Sequence, residues 1–207
     1  MKFFIISCLI LFSVSICRAQ LDSSLYKTDK EVINKIQELR DKKTDTIVCY
    51  YIDCVGAMPR LEIPDSCTSS KTKYLLWRSN SKSFIQKFDE CNTYKANPMS
   101  STFFNLIKLN FNGIKKEKIK YPAYDEIIKG KKLELSTLID HSCHNIFEIN
   151  IKGKITSKDI DDFALETKLV DDKYINKYYN RNQKSILNKL KKIVEAEVST
   201  YNKALVH

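Results

Sequence analysis

The chain has 207 residues, 43% of them hydrophobic and 29% charged, with a formal net charge of +10. That balance excludes collagenous, low-complexity and intrinsically disordered chains. With four glycines, and neither G-x-G-x-x-G nor G-x-x-x-x-G-K-[ST] in the sequence, the usual nucleotide-binding loops are excluded as well.

The first element is an address. Lys2 supplies a positive n-region, Phe3 to Cys17 is a run of apolar and small residues, and Cys17-Arg18-Ala19 offers a small-x-small cleavage site before Gln20. Residues 1–19 therefore read as a secretory signal peptide cleaved after Ala19, and residues 20–207 as a single domain. The apolar run falls short of the roughly 20 residues that a spanning helix needs, so no transmembrane segment is expected after cleavage. A lipid anchor on Cys17 is the minor alternative, with Ile16 standing where such signals place a small residue.

Val32, Ile33, Ile36 and Leu39 recur at helical spacing behind Thr28 or Asp29, which predicts an amphipathic helix over 28–42. Thr46 to Cys54 is a β-branched and aromatic run, apolar on both faces, and predicts a central strand. Gly56, Pro59 and Pro64 break the chain into a loop that closes near Cys67. A hairpin is expected from Lys73 to Arg78 and Ser83 to Asp89, with Trp77 and Leu75 on one face of its first strand and Tyr74, Leu76 and Arg78 on the other. Trp77, the only tryptophan, is assigned to the core.

Residues 100–111 fit a short helix or an aromatic strand equally well. Pro122 is expected to start a helical turn over Ala123 to Lys129. Leu133 to Ile139, Asn145 to Ile151 and Lys154 to Ile160 read as strands, the last two joined at Lys152-Gly153. A long helix from Asp172 to about Tyr201 carries the stripe Ile175, Tyr178, Tyr179, Ile186, Leu190, Ile193 and Val194. Lys184, Lys189, Lys191 and Lys192 lie opposite that stripe, which is read as core rather than as membrane-facing. Connections too short for βαβ crossovers make the fold class α+β: a mainly antiparallel sheet packed with an N-terminal helix and a long C-terminal amphipathic helix.

Cleavage after Ala19 leaves five cysteines: Cys49, Cys54, Cys67, Cys91 and Cys143. In a secreted chain these read as disulfides with one left over. Cys54 and Cys67 flank the Gly/Pro loop and are expected to pair, as are Cys91 and Cys143, leaving Cys49 a buried free thiol. Asp140-His141-Ser142-Cys143-His144 is the only dense cluster of metal-type or nucleophile-type side chains. On a strand His141 and His144 diverge, so no metal site or Cys–His pair is assigned. Asp159, Asp161 and Asp162 begin like a calcium loop, but Ala164 and Val170 stand where glycine and glutamate belong. No cofactor is implied.

Only five of the 35 basic residues are arginine, and the lysines are interspersed with acids, so nucleic acid is not the expected partner. The signal ending Arg18-Ala19-Gln20, the strand Thr46 to Cys54, the hairpin from Tyr74 to Cys91 and Asp140-His141-Ser142-Cys143 together resemble exported proteins of Bacteroidota. That resemblance implies a compartment and no activity. None of the 14 asparagines begins an N-x-[ST] sequon, which is suggestive of a bacterial source. The expectation is a secreted or periplasmic, non-catalytic module that binds an envelope or extracellular partner. Its rival is a polymer hydrolase working through acidic residues that spacing does not reveal.

Overall fold

The computed structural model describes residues 27–54, 56, 72–137, 139, 141–169 and 173–205. The expected signal peptide, Cys67 and His207 lie outside them.

Helix α1 (Lys27–Asp41) leads into strand β1 (Thr46–Cys54), and β2 (Lys73–Ser79) and β3 (Lys82–Phe88) form a hairpin. The hairpin turns on Asn80 and Ser81 with φ of 49° and 64°, the left-handed pair that matches strand twist. The short β4 (Asn97–Met99) is followed by helix α2 (Thr102–Lys116). A separate hairpin, β5 (Ala123–Ile128) and β6 (Lys131–Ser136), precedes β7 (Cys143–Ile151) and β8 (Lys154–Asp161). A two-residue pair, β9 (Lys168–Leu169) and β10 (Tyr174–Ile175), leads into α3 (Tyr179–Lys184) and α4 (Ile186–Leu205).

The main sheet has six strands in the order β4-β3-β2-β1-β7-β8, antiparallel at every step. The α+β class, the mainly antiparallel sheet and the long C-terminal helix are thus as the sequence predicts. β1 is central because both its faces are apolar. Val48 and Tyr50 face α2 and α4 in a cluster with Leu76, Phe103, Phe147, Leu190 and Val194. Ile47 and Cys49 face α1 in a second cluster with Val32, Leu39, Leu75, Trp77 and Phe88. Period-two side chains on the strands and a helical stripe on each covering helix are what divide the core this way.

Two expected helices differ. Ala123 to Ile128 is strand β5, not a helical turn, because Lys129 and Gly130 take φ of 52° and 75° and fold it back onto β6. The C-terminal helix does not begin at Asp172. The Asn176 side chain donates to the carbonyls of Ala164 and Glu166, Asn182 donates to those of Lys120 and Ala164, and Ser185 breaks the helix at ψ 151°. Ser185 Oγ then accepts the Asn188 N–H at 3.0 Å, and Glu117 accepts the Leu187 N–H at 3.0 Å, so side chains cap the first turn of α4. Ile175, expected in the apolar stripe, is 71% exposed on β10.

On α1, Lys35 and Lys42 donate to the Glu38 carboxylate at 2.8 and 2.6 Å and hold its pKa down at about 2. A carboxyl depressed on folding stabilises above its unfolded value and loses that contribution as pH falls to its folded one. The pair is largely solvated, so its effect is modest. Glu38→Gln should lower the unfolding free energy by about 0.5 kcal/mol at neutral pH and leave it unchanged at about pH 2. Urea unfolding at the two pH values checks this, and an equal difference at both would remove the charge as its cause.

Candidate functional site

The cysteines resolve first. Cys54 is bonded to Cys143, with Cα atoms 4.0 Å apart. This corrects both expected pairings, Cys54 with Cys67 and Cys91 with Cys143. The reason is register: β1 and β7 pair antiparallel so that Cys54 stands directly opposite Cys143. Cys91 is disulfide-bonded too. Cys49 is the free, buried thiol the sequence predicts, and burial pushes its pKa up to about 12.

The other expected candidates separate. His144 Nδ1 meets the Asp159 carboxylate at 3.0 Å on β7 and β8, while His141 is exposed ahead of β7. Asp140 lies outside the described residues. Asp161 accepts from the Ser142 hydroxyl and from the Phe163 N–H, whereas Asp162 turns the opposite way, toward Asn145 and Lys191. The three aspartates therefore do not converge, and among the described residues no group of three His, Cys, Asp or Glu could hold a metal. Trp77 is 6% exposed and stacks on Phe84 with centroids 5.5 Å apart. Of the four helix lysines, Lys184, Lys189 and Lys192 face solvent. Lys191 does not: it reaches Asp162 at 3.3 Å and Glu195 at 2.6 Å.

A concavity lies elsewhere. A cleft of about 770 Å³ opens between the β1 and β2 end of the sheet and the second half of α4. Tyr50, Ile52 and Tyr74 reach it from the strands, and Val198 from the helix. Glu195, Ser199, Asn202 and Lys203 add polar groups from the same helix face, at i, i+4, i+7 and i+8, and Lys87 adds one from β3. That spacing was the signal available in the sequence. It runs beside the apolar stripe, which continues past Val194 as Val198, Tyr201 and Leu205, and polar residues at helical spacing carry no hydrophobic signal.

Under the cleft runs a partnered polar chain. Tyr50 OH donates to Asn145 Oδ1 at 2.7 Å, and Asn145 Nδ2 donates to Asp162 Oδ1 at 2.8 Å. Tyr50 and Asn145 are both essentially inaccessible, so each would be costly without the other. Burial pushes the Asp162 carboxyl above its ordinary value, against the pull of Lys191. Burial also works against the Lys191 charge, but the Glu195 and Asp162 carboxylates together outweigh it and hold the ammonium above its usual range. Lys87 behaves likewise: Asp89, 3.3 Å away, overcomes desolvation together with Tyr94 and Tyr74, the Tyr94 ring centroid lying 4.5 Å from the ammonium. At the mouth, Asn202 Nδ2 donates to Tyr74 OH at 3.0 Å.

Fold and cleft together define an α+β domain with a helix-covered antiparallel sheet, disulfide-bonded, in which no helix of the described residues is long and apolar enough to cross a membrane. No family model, no curated protein and no solved structure matches the chain.

Proposed function

We propose that this protein is a non-catalytic binding module, exported to an oxidising compartment, which holds an envelope or extracellular component in the cleft between β1, β2 and α4. The resemblance to exported Bacteroidota proteins is part of the same proposal. The observation that carries it is the cleft's make-up. Its volume of about 770 Å³ falls in the range of small-ligand sites, and an aromatic and aliphatic floor under a few polar groups is what such sites use to hold and orient a ligand.

The titratable groups on its wall, Lys203 excepted, are engaged in structural pairs. Lys87 is held by Asp89, Glu195 by Lys191, and the Tyr50 hydroxyl by Asn145. Acid–base chemistry needs a group free to exchange a proton with the ligand at working pH. Lys203 is exposed, has no ion pair among the described residues, and is placed to meet an anionic ligand group.

One observation favours the rival hydrolase: Asp162 and Glu195 both reach the Lys191 ammonium, and burial pushes the Asp162 carboxyl above its ordinary value, the direction a general acid needs. The gap between them is filled by that ammonium, whereas a glycosidase pair leaves room there for the scissile bond. Only Glu195 lines the cleft. Binding is the better reading.

The test is retention of envelope fractions on the immobilised protein. Ser199→Trp combined with Lys203→Glu, both at exposed positions, should block the cleft and reduce retention of the bound component by about tenfold or more with the melting temperature unchanged. Equal retention by the blocked variant would refute the cleft as the site. Turnover of an envelope polymer that Glu195→Gln abolishes would establish the hydrolase instead.

A further inference from the structure

The β5 and β6 hairpin stands apart from the main sheet, paired only within itself. Its base is firmly mounted. Lys177 Nζ meets Asp125 at 2.9 Å and Glu134 at 2.5 Å, Tyr178 OH donates to Glu134 at 2.8 Å, and Tyr174 OH donates to Glu126 at 3.0 Å. The Tyr124 and Tyr174 rings stack 3.8 Å apart, and the Lys177 N–H donates to the Ala123 carbonyl at 2.9 Å. All three acids of the hairpin are consumed in these contacts.

The tip is different. From Ile127 to Leu133 the sequence is Ile-Ile-Lys-Gly-Lys-Lys-Leu, with three lysines and no acid. Ile127 is 76% exposed, Ile128 40% and Leu133 43%. Register places Ile127 beside Lys132 on one face and Ile128 beside Lys131 on the other, so both faces of the tip carry an aliphatic and a cationic side chain. Lys132 reaches back to Asp125 at 2.9 Å, while Lys129 and Lys131 have no ion pair among the described residues.

We propose that this tip docks end-on at an anionic lipid surface. Lys129 and Lys131 meet headgroup phosphates, and Ile127, Ile128 and Leu133 enter the boundary with the acyl chains. Aliphatic side chains ringed by unpaired lysines match the two layers of such a surface, apolar below and anionic above. Nucleic acid is a poorer fit, because the tip carries no arginine fork and no aromatic ring on which a base could stack. A rigid base under an exposed tip lets the three aliphatic groups insert without loss of internal contacts. The proposal does not depend on the cleft, since none of the tip residues lines it.

Co-sedimentation with vesicles of phosphatidylcholine, with and without about one-third phosphatidylglycerol, tests it at roughly 0.1 M salt. The protein should partition at least about tenfold more strongly onto the anionic vesicles, since each lysine near such a surface is worth about fivefold. Ile127→Ser with Leu133→Ser should weaken that partitioning by about fivefold or more. Lys129→Glu with Lys131→Glu should bring it down to the neutral-vesicle level. Lys184→Glu with Lys189→Glu, the same charge change at exposed positions of α3 and α4, should leave most of it intact. Melting temperatures should be unchanged throughout, because every substituted side chain is solvent-exposed or at the tip. Equal partitioning onto both vesicle types, wild-type partitioning by the double serine variant, or loss of binding in the helix-lysine control equal to that of the tip variant would overturn the proposal. So would self-association in solution that the tip variants abolish without any vesicle binding, which would assign the tip to a second copy of the chain.

Discussion

Replacing Cys54 and Cys143 together by alanine is expected to lower the unfolding free energy by about 4 kcal/mol. The bond joins residues 89 apart in sequence, and cross-linking so long a segment removes much of the loop-closure entropy of the unfolded chain. It also fastens the end of β1 to the start of β7, the strand pair through which the N-terminal hairpin and the C-terminal half of the sheet are joined. Urea unfolding should show a midpoint about 2 M lower. The same samples report on Cys49. Its thiol, buried and with its pKa pushed up to about 12, should resist alkylation in the native protein and react only on unfolding. A midpoint unmoved in the double variant, or ready alkylation of Cys143 without reductant, would contradict the pairing.

The mispaired cysteines show where sequence reading gives out. Cys54 and Cys67 bracket a Gly/Pro loop, and proximity in sequence favoured joining them. What decides the pairing is the register of β1 against β7, a contact between segments far apart in the chain. Local signals were legible wherever the turn chemistry was local: Lys152 and Gly153, with φ of 49° and 82°, set the β7 and β8 hairpin as expected. Lys129 and Gly130 carry the same dipeptide and the same geometry, and the strands on either side could have been read from it. Pro122 drew the reading toward a helix instead. Residues 100–111 are undecidable by periodicity, because Phe103, Phe104 and Ile107 are spaced for a helix while the aromatic content favours a strand. The cleft was not legible as a site. Its Tyr50, Tyr74 and Lys87 come from three strands and its helix side from α4, so no single stretch of sequence contains it.

The face assignment of the β2 strand did hold, and it supports the largest expected single-residue effect. Trp77→Ala should destabilise the protein by about 3–5 kcal/mol. Trp77 lies opposite Ile47 on β1 and stacks on Phe84 of β3, and it belongs to the same cluster as Val32 and Leu39 of α1. Lys35 of that helix sits with its ammonium 5.6 Å from the indole centroid. The ring is therefore, with Phe88, one of the two large buried side chains on which α1 rests, Cys49 and Leu75 being much smaller on the same face. Removing it opens a cavity that neither a strand fixed by pairing on both sides nor a helix held by Val32, Ile36 and Leu39 can close without moving. The loss should thus be local before it is global: amides of α1 should exchange with solvent much faster in Trp77→Ala than in the wild type, while those of β7 and α4, which belong to the other cluster, keep more of their protection. Trp77→Phe, which retains part of the stacking on Phe84, should recover roughly half of the lost stability. Circular dichroism during urea unfolding measures the first effect and hydrogen exchange the second. An unfolding midpoint unchanged in Trp77→Ala would remove the indole from the core that joins α1 to the sheet.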